Sequence, residues 1–103
     1  MSIQTVTPAE LETWAAEDYI IIDVRDESAY QLGNIPGSVR ISRQDLLNGS
    51  FQLPKNKKLV LYCMFGVLSR DPAEKLLAEG YDAYHLDGGY GNWLLHQMQK
   101  DIG

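Results

Sequence analysis

Short apolar segments that alternate with helix-start signals constrain the fold of this chain more than any other feature. Two predicted strands, Tyr19–Val24 and Leu59–Tyr62, are apolar on both faces, which is typical of strands covered by helices on either side. A third predicted strand runs from Tyr81 to Leu86. Because strands alternate with helices, the sequence predicts an α/β fold with a parallel sheet covered by helices on both faces. A length of 103 residues suits a single domain over residues 1–103.

Helix-start chemistry occurs twice in the sequence. Thr7-Pro8-Ala9-Glu10 has the threonine, proline and glutamate of a capping box and predicts a helix from about Pro8 to Asp18. Asp71-Pro72-Ala73-Glu74 repeats the pattern, which favours Asp71 as the N-cap of a helix ending near Gly80. The other predicted elements are a helical turn around Ser28 to Leu32, a short strand at Val39 and Ile41, a small helix from Arg43 to Leu47, and a final helix carrying Trp93, Leu94 and Met98 inward.

The single cysteine, Cys63, lies where the central predicted strand ends. Ligands of parallel sheets bind beyond the carboxyl ends of the strands. Gly66 permits a positive φ and a helix begins soon afterwards, so the amides of Met64 to Ser69 can form a nest that stabilises a thiolate. The alternative is that Cys63 is a small apolar core residue, the usual role of a buried cysteine. Three other polar residues fall at predicted strand ends: Asp23, Arg25 and Asp87.

Four motifs in this chain resemble those of the single-domain rhodanese family of sulfurtransferases, in the family's order. They are Asp23-Val24-Arg25, Gly33-Asn34-Ile35-Pro36-Gly37-Ser38, Tyr62-Cys63-Met64-Phe65-Gly66-Val67-Leu68-Ser69 and Asp87-Gly88-Gly89-Tyr90-Gly91-Asn92-Trp93. The resemblance implies a rhodanese-like α/β fold and an enzyme whose thiolate takes a sulfane sulfur, holds it as a persulfide, and passes it to a thiol, cyanide or an acceptor protein.

The resemblance also implies a catalytic role for Cys63, which would be the persulfide-forming nucleophile. The loop that binds the sulfur would consist of Met64, Phe65, Gly66, Val67, Leu68 and Ser69. One cysteine with amide donors is sufficient for this chemistry, so no metal, cofactor or second thiol is predicted. Three further residues are interpreted only as supporting ones: Asp23, Arg25 and Arg70.

The loop departs from the family pattern in its side chains. Leu68 stands where the family often has a basic residue, and Met64 where it often has arginine. Together with Phe65 and Val67 they would line the mouth of the site with apolar surface. We therefore expect sulfur donors to be persulfides on a thiol or a protein, with thiosulfate disfavoured.

The start of the helix after the loop stays open between two arrangements. Capping by Asp71 instead of Ser69 would lengthen the loop. A carboxylate at this place would also compete with the thiolate for the positive potential of the helix N-terminus and raise the pKa of Cys63. Arg70 would offset that effect if it pointed inward.

Two other functions compete with sulfur transfer. A rhodanese-like module without catalytic activity, acting in interaction or regulation, is the main alternative to the enzyme. Related phosphatases and arsenate reductases need an arginine six positions after the cysteine to clamp an oxyanion. Ser69 occupies that position and Arg70 follows it, which makes this reading the less favoured one.

Composition argues against several partners. Fourteen acidic and nine basic residues give a formal charge of −5, which disfavours nucleic acid and anionic membranes. The longest near-apolar run, Leu59 to Leu68, is about half the length of a membrane-spanning helix, and the N-terminus lacks a secretory pattern. One cysteine excludes an internal disulfide. We expect a cytoplasmic protein that is a monomer or a weak dimer.

Overall fold

The apolar segments form the centre of a five-stranded, wholly parallel sheet with strand order β1-β5-β4-β2-β3. The computed structural model describes residues 3–102. The strands are β1 (Thr5–Val6), β2 (Tyr19–Asp23), β3 (Val39–Arg40), β4 (Lys58–Tyr62) and β5 (Asp82–Leu86). The helices are α1 (Pro8–Leu11), α2 (Glu27–Leu32), α3 (Arg43–Asn48), α4 (Arg70–Ala78) and α5 (Gly89–Ile102), and a 3-10 helix covers Ala16–Asp18.

Side chains of the central strand β4 alternate between two separate cores. Leu59 and Leu61 face α3 and α4 and pack in one cluster with Leu46 and Leu76. The alternate residues of β4 face α1 and α5 in a second cluster. All four residues from Leu59 to Tyr62 are fully buried. The prediction of a parallel α/β sheet covered by helices on both faces is confirmed.

The predicted helix from Pro8 to Asp18 is wrong in its length, because α1 is a single turn followed by the 3-10 helix. Thr13 turns its hydroxyl back to donate to the carbonyl of Glu10 (2.6 Å), which competes with continuation of the helix. Trp14 then packs edge-on against Tyr84 of β5, with ring centroids 5.0 Å apart. These contacts end the helix and lead the chain through the 3-10 helix into β2.

The predicted N-cap at Asp71 is also wrong, because α4 begins at Arg70 with Ser69 in the capping position. The carboxylate of Asp71 instead binds Nη2 of Arg43 from α3 at 2.7 Å. The hydroxyl of Ser69 does not cap the helix. The loop between β4 and α4 is therefore not lengthened.

The outer face of α5 is more apolar than predicted. Trp93 packs towards the sheet and stacks on Tyr90, with ring centroids 5.9 Å apart and planes 11° from parallel. Leu94 and Met98, predicted to point inward, are 38% and 58% exposed, so that prediction is wrong for both. At 14 residues α5 is the longest helix between residues 3 and 102, and no helix in that range could span a membrane.

Tyr62 fixes the carboxyl end of β4, one residue before the cysteine. Its hydroxyl accepts a hydrogen bond from the amide of Ile35 (3.1 Å) and shares another with Oγ of Ser38 (3.2 Å). The side chain is fully buried, and this burial raises the pKa of Tyr62 to about 12, so the phenol stays neutral. Tyr62 thus ties the strand end to the segment before β3.

We expect Tyr62→Phe to lower the free energy of unfolding by about 1–3 kcal/mol, because a buried amide and a buried hydroxyl lose their partner. Urea unfolding followed by circular dichroism measures the change. Tyr19→Phe is the matched control, because no hydrogen bond of its hydroxyl is found among residues 3–102, and it should cost less than about 0.5 kcal/mol. Equal losses in the two variants would contradict this role of Tyr62.

Candidate active site

The sulfur of Cys63 lies at the base of a short loop that leaves β4 at the carboxyl edge of the sheet. Cys63 is only 3% exposed, but it borders a cavity of about 290 Å³ that opens to the surface. A buried thiol with access through a cavity can meet a substrate while most of its surroundings exclude water. The other residues around this cavity are Arg25, Asp26, Ala29, Met64, Phe65, Val67 and Leu68.

Backbone amides of the loop converge on the sulfur. The amide of Gly66, whose φ is +82°, donates to Sγ at 3.2 Å, and the amides of Leu68 and Ser69 lie close enough to lower the pKa of the thiol. Burial raises the pKa of Cys63, but the nearby amides of Ser69, Gly66 and Leu68, together with the Ser69 hydroxyl, lower it by more. The net effect is a lowered pKa, which favours the reactive thiolate.

The start of α5 holds the loop from behind. The amide of Tyr90 donates to the carbonyl of Cys63 (2.8 Å), and the amide of Gly91 donates to the carbonyl of Met64 (2.9 Å). These two carbonyls therefore point away from the sulfur. A Cβ atom on Gly89 would collide with the Cys63 carbonyl, so the glycine allows this close approach.

Asp23 and Arg25 form a closed ion pair at the end of β2. Asp23 is fully buried and its carboxylate accepts from Nη2 of Arg25 at 2.7 Å. The guanidinium also donates to the carbonyl of Gly33 (2.6 Å) and lies over the ring of Tyr90, 4.6 Å from its centroid. Arg25 borders the cavity, but its charge is already compensated.

Arg43 contacts the loop, which the sequence did not indicate. Its Nε donates to the carbonyl of Leu68 (3.2 Å), while Nη2 pairs with Asp71. Arg70, the predicted supporting residue, is exposed and lies close enough to His85 to influence its pKa. Arg43 rather than Arg70 therefore compensates the Asp71 carboxylate.

Two buried polar side chains, those of Ser69 and His85, lie near the site in addition to the amides. Ser69 is fully buried, and its hydroxyl makes no hydrogen bond of regular geometry within the described residues, yet it lies close enough to Cys63 to lower the pKa of the thiol. His85 of β5 is 5% exposed, and burial together with the charge of Arg70 lowers its pKa. His85 is therefore neutral at pH 7. Among residues 3–102, no cluster of three or more His, Cys, Asp or Glu side chains could hold a metal ion.

Comparisons with known proteins find relatives that share this fold. A family model described as the rhodanese-like domain matches residues 7–96. The thiosulfate sulfurtransferase GlpE of Pseudoalteromonas translucida is 33% identical over 91 residues, which cover 87% of this chain and 87% of that protein. A rhodanese-related protein from Thermoplasma volcanium superposes with a TM-score of 0.82 at 25% identity, covering 90% of this chain and 92% of the other. A protein of unknown function from Rhodopseudomonas palustris, described as a possible tyrosine phosphatase, gives 0.79 at 31% identity, covering 92% and 82%.

We expect the rate of alkylation of Cys63 by iodoacetamide to reach half its maximum at a pH below about 8.5, the pKa of an unperturbed cysteine. The thiolate is the reacting form, so a lowered pKa moves the rate profile to lower pH. The chain has one cysteine, and all labelling therefore reports on this site. The same chain unfolded in urea is the control and should return to about 8.5. A folded-state value equal to or above that of the unfolded chain would contradict the amide cradle.

Proposed function

Since the chain belongs to the rhodanese-like domain family, we propose that it moves sulfane sulfur through a persulfide on Cys63, taken from a thiol or protein persulfide. Relatives named as sulfurtransferases support sulfur transfer at the family level. The observation that carries the proposal is the convergence of amides on one sulfur atom whose pKa they lower.

The proposed reaction has two displacements and no net oxidation. The Cys63 thiolate attacks the outer sulfur of a donor persulfide, the donor S–S bond breaks, and the donor thiolate leaves with the electron pair. The product is a Cys63 persulfide. An acceptor thiolate then attacks the outer sulfur, and the Cys63 thiolate leaves. The amides of Gly66, Leu68 and Ser69 stabilise the thiolate before transfer and the charged outer sulfur after it.

Donor selectivity follows from the residues around the cavity. Phe65, Val67 and Leu68 are 72%, 68% and 60% exposed, so the mouth presents apolar surface. Among the described residues that line the cavity, Arg25 is the only cationic side chain, and it is paired with Asp23. Thiosulfate, a dianion, therefore lacks a free cationic side chain at the entrance.

Exposed apolar side chains occur on α5 as well as at the cavity, which favours a protein partner over a small donor. The ring of Phe65 lies beside Gly91 in the first turn of α5. Further along the same helix, Leu95 and Met98 are 57% and 58% exposed. Surface of this kind is typical of sites that bind other proteins. We propose a donor or acceptor protein that presents its sulfur at the edge of a complementary apolar surface.

The main alternative is an interaction module without catalysis, and the apolar mouth is equally suited to it. The lowered pKa of Cys63 favours the enzyme, because a module that only binds needs no thiolate. Phosphatase activity has less support: Ser69 occupies the position that would need an arginine, and the carbonyl-bound Arg43 is already engaged.

Incubation with glutathione persulfide should add the mass of one sulfur atom to the folded chain, and tandem mass spectrometry should locate it on Cys63. Cys63→Ser is the control and should remain unmodified. The loaded protein should lose the added mass when a thiol acceptor is supplied. A folded wild-type protein that never takes up sulfur would contradict the enzyme and favour the interaction module.

Leu68→Arg should lower the KM for thiosulfate by about two- to fivefold, the range expected for one partly exposed charge pair. The arginine would place an unpaired cation at the mouth, and Leu68→Gln controls for the loss of apolar surface without adding charge. Steady-state assays with cyanide as acceptor measure the effect. If the wild type already turns thiosulfate over well and Leu68→Arg brings no gain, the proposed selectivity is wrong.

A further inference from the structure

Arg43 joins three parts of the molecule around the cysteine loop. It is the first residue of α3, and its Nε donates to the carbonyl oxygen of Leu68 at 3.2 Å. Its Nη2 binds Oδ2 of Asp71, in the first turn of α4, at 2.7 Å. The side chains of Arg43 and Asp71 are 37% and 73% exposed, so solvent and salt screen their ion pair.

The Leu68 carbonyl and the Ser69 amide belong to the same peptide group. A planar trans peptide points its C=O and N–H in opposite directions. Arg43 binds the oxygen on one side, so the N–H of Ser69 points to the opposite side, and this amide lies close enough to Cys63 to lower the pKa of the thiol. A charged donor on the oxygen polarises the peptide group and strengthens the N–H as a donor.

The second contact of Arg43 acts on the helix that begins beneath the loop. Asp71 is the second residue of α4, and an uncompensated carboxylate there would reduce the positive potential that the helix N-terminus offers an anion. The ion pair with Arg43 compensates that charge locally. Both contacts therefore act in the same direction on the sulfur.

We propose that Arg43 is a positioning residue for Cys63, which orients the Leu68–Ser69 peptide group towards the sulfur and compensates the charge of Asp71. Its importance for turnover rests on the proposed sulfur transfer. Its effect on the thiolate does not depend on any sulfur donor.

The test is the pH profile of iodoacetamide alkylation in about 0.5 M KCl, where long-range charge effects are largely screened. Arg43→Met should raise the apparent pKa of Cys63 by about half a unit to one unit, which is about three- to tenfold less thiolate at pH 7. Lys75→Met is the matched control, because Lys75 lies in the last turn of α4 and pairs with Glu79 at 2.8 Å. It removes the same charge and should leave the profile unchanged.

Asp71→Asn separates the two contacts of Arg43. Arg43→Met in the Asp71→Asn background should still raise the apparent pKa, because the peptide group has lost its partner. If Arg43→Met has no effect in that background, the orienting role is wrong and only charge compensation operates. If Arg43→Met matches Lys75→Met in the wild-type background, the proposal is wrong as a whole.

Two further measurements show whether a variant has lost its fold and whether the wild type takes up sulfur. Circular dichroism checks folding, and if Arg43→Met does not fold, Arg43→Gln takes its place with the same expected direction of shift. Sulfur loading is measured separately on the wild type. A wild type with a lowered pKa that takes up no sulfur would overturn the proposed function alone. A wild type that loads sulfur, with an Arg43→Met profile that does not shift, would overturn only the role of Arg43.

Discussion

The chemistry of this site depends on two hydrogen bonds in which the first amides of α5 bind the carbonyl oxygens of Cys63 and Met64. The peptide groups of a loop can turn either their carbonyl oxygens or their amides towards its centre. Only the amides stabilise an anion there. Because amides of α5 donate hydrogen bonds to these two carbonyls, the carbonyls are held away from the sulfur. The following amides of the loop can then face it. Gly89 makes this approach possible, since any side chain at that position would occupy the space of the loop backbone. The Gly88-Gly89 pair is therefore part of the site, although neither residue borders the cavity.

Local sequence chemistry was sufficient to predict most of the architecture. The apolar β2 and β4 segments, together with the capping box at Thr7, predicted the alternation of strands and helices that the structure has. The position of Cys63 at a strand end and the positive φ of Gly66 were also readable from the sequence. These features depend on residues that are close together in the chain, for which propensity and periodicity are informative.

The wrong predictions for Asp71 and for the inward face of α5 have a common cause in contacts between distant segments. Asp71 looked like an N-cap from its neighbours alone, but an arginine from α3 binds its carboxylate. Leu94 and Met98 had helical spacing suited to a core, but Tyr90 and Trp93 already fill the space between α5 and the sheet. No local pattern carries such information, because it depends on which elements the fold brings together. Arg43 was missed for the same reason.

The loop separates two tasks that its residues perform with different atoms. Recognition of the negative charge on the sulfur is the work of main-chain amides, which every residue except proline supplies regardless of its side chain. In the proposed function, selection of the partner is the work of exposed side chains at the mouth of the cavity, such as Phe65 and Leu68. On this proposal, a leucine where a basic residue is often found changes which molecule can approach, while the donors that stabilise the thiolate stay in place. For this reason an apolar entrance and a stabilised thiolate are compatible in one site. The apolar entrance is therefore no argument against a reactive cysteine.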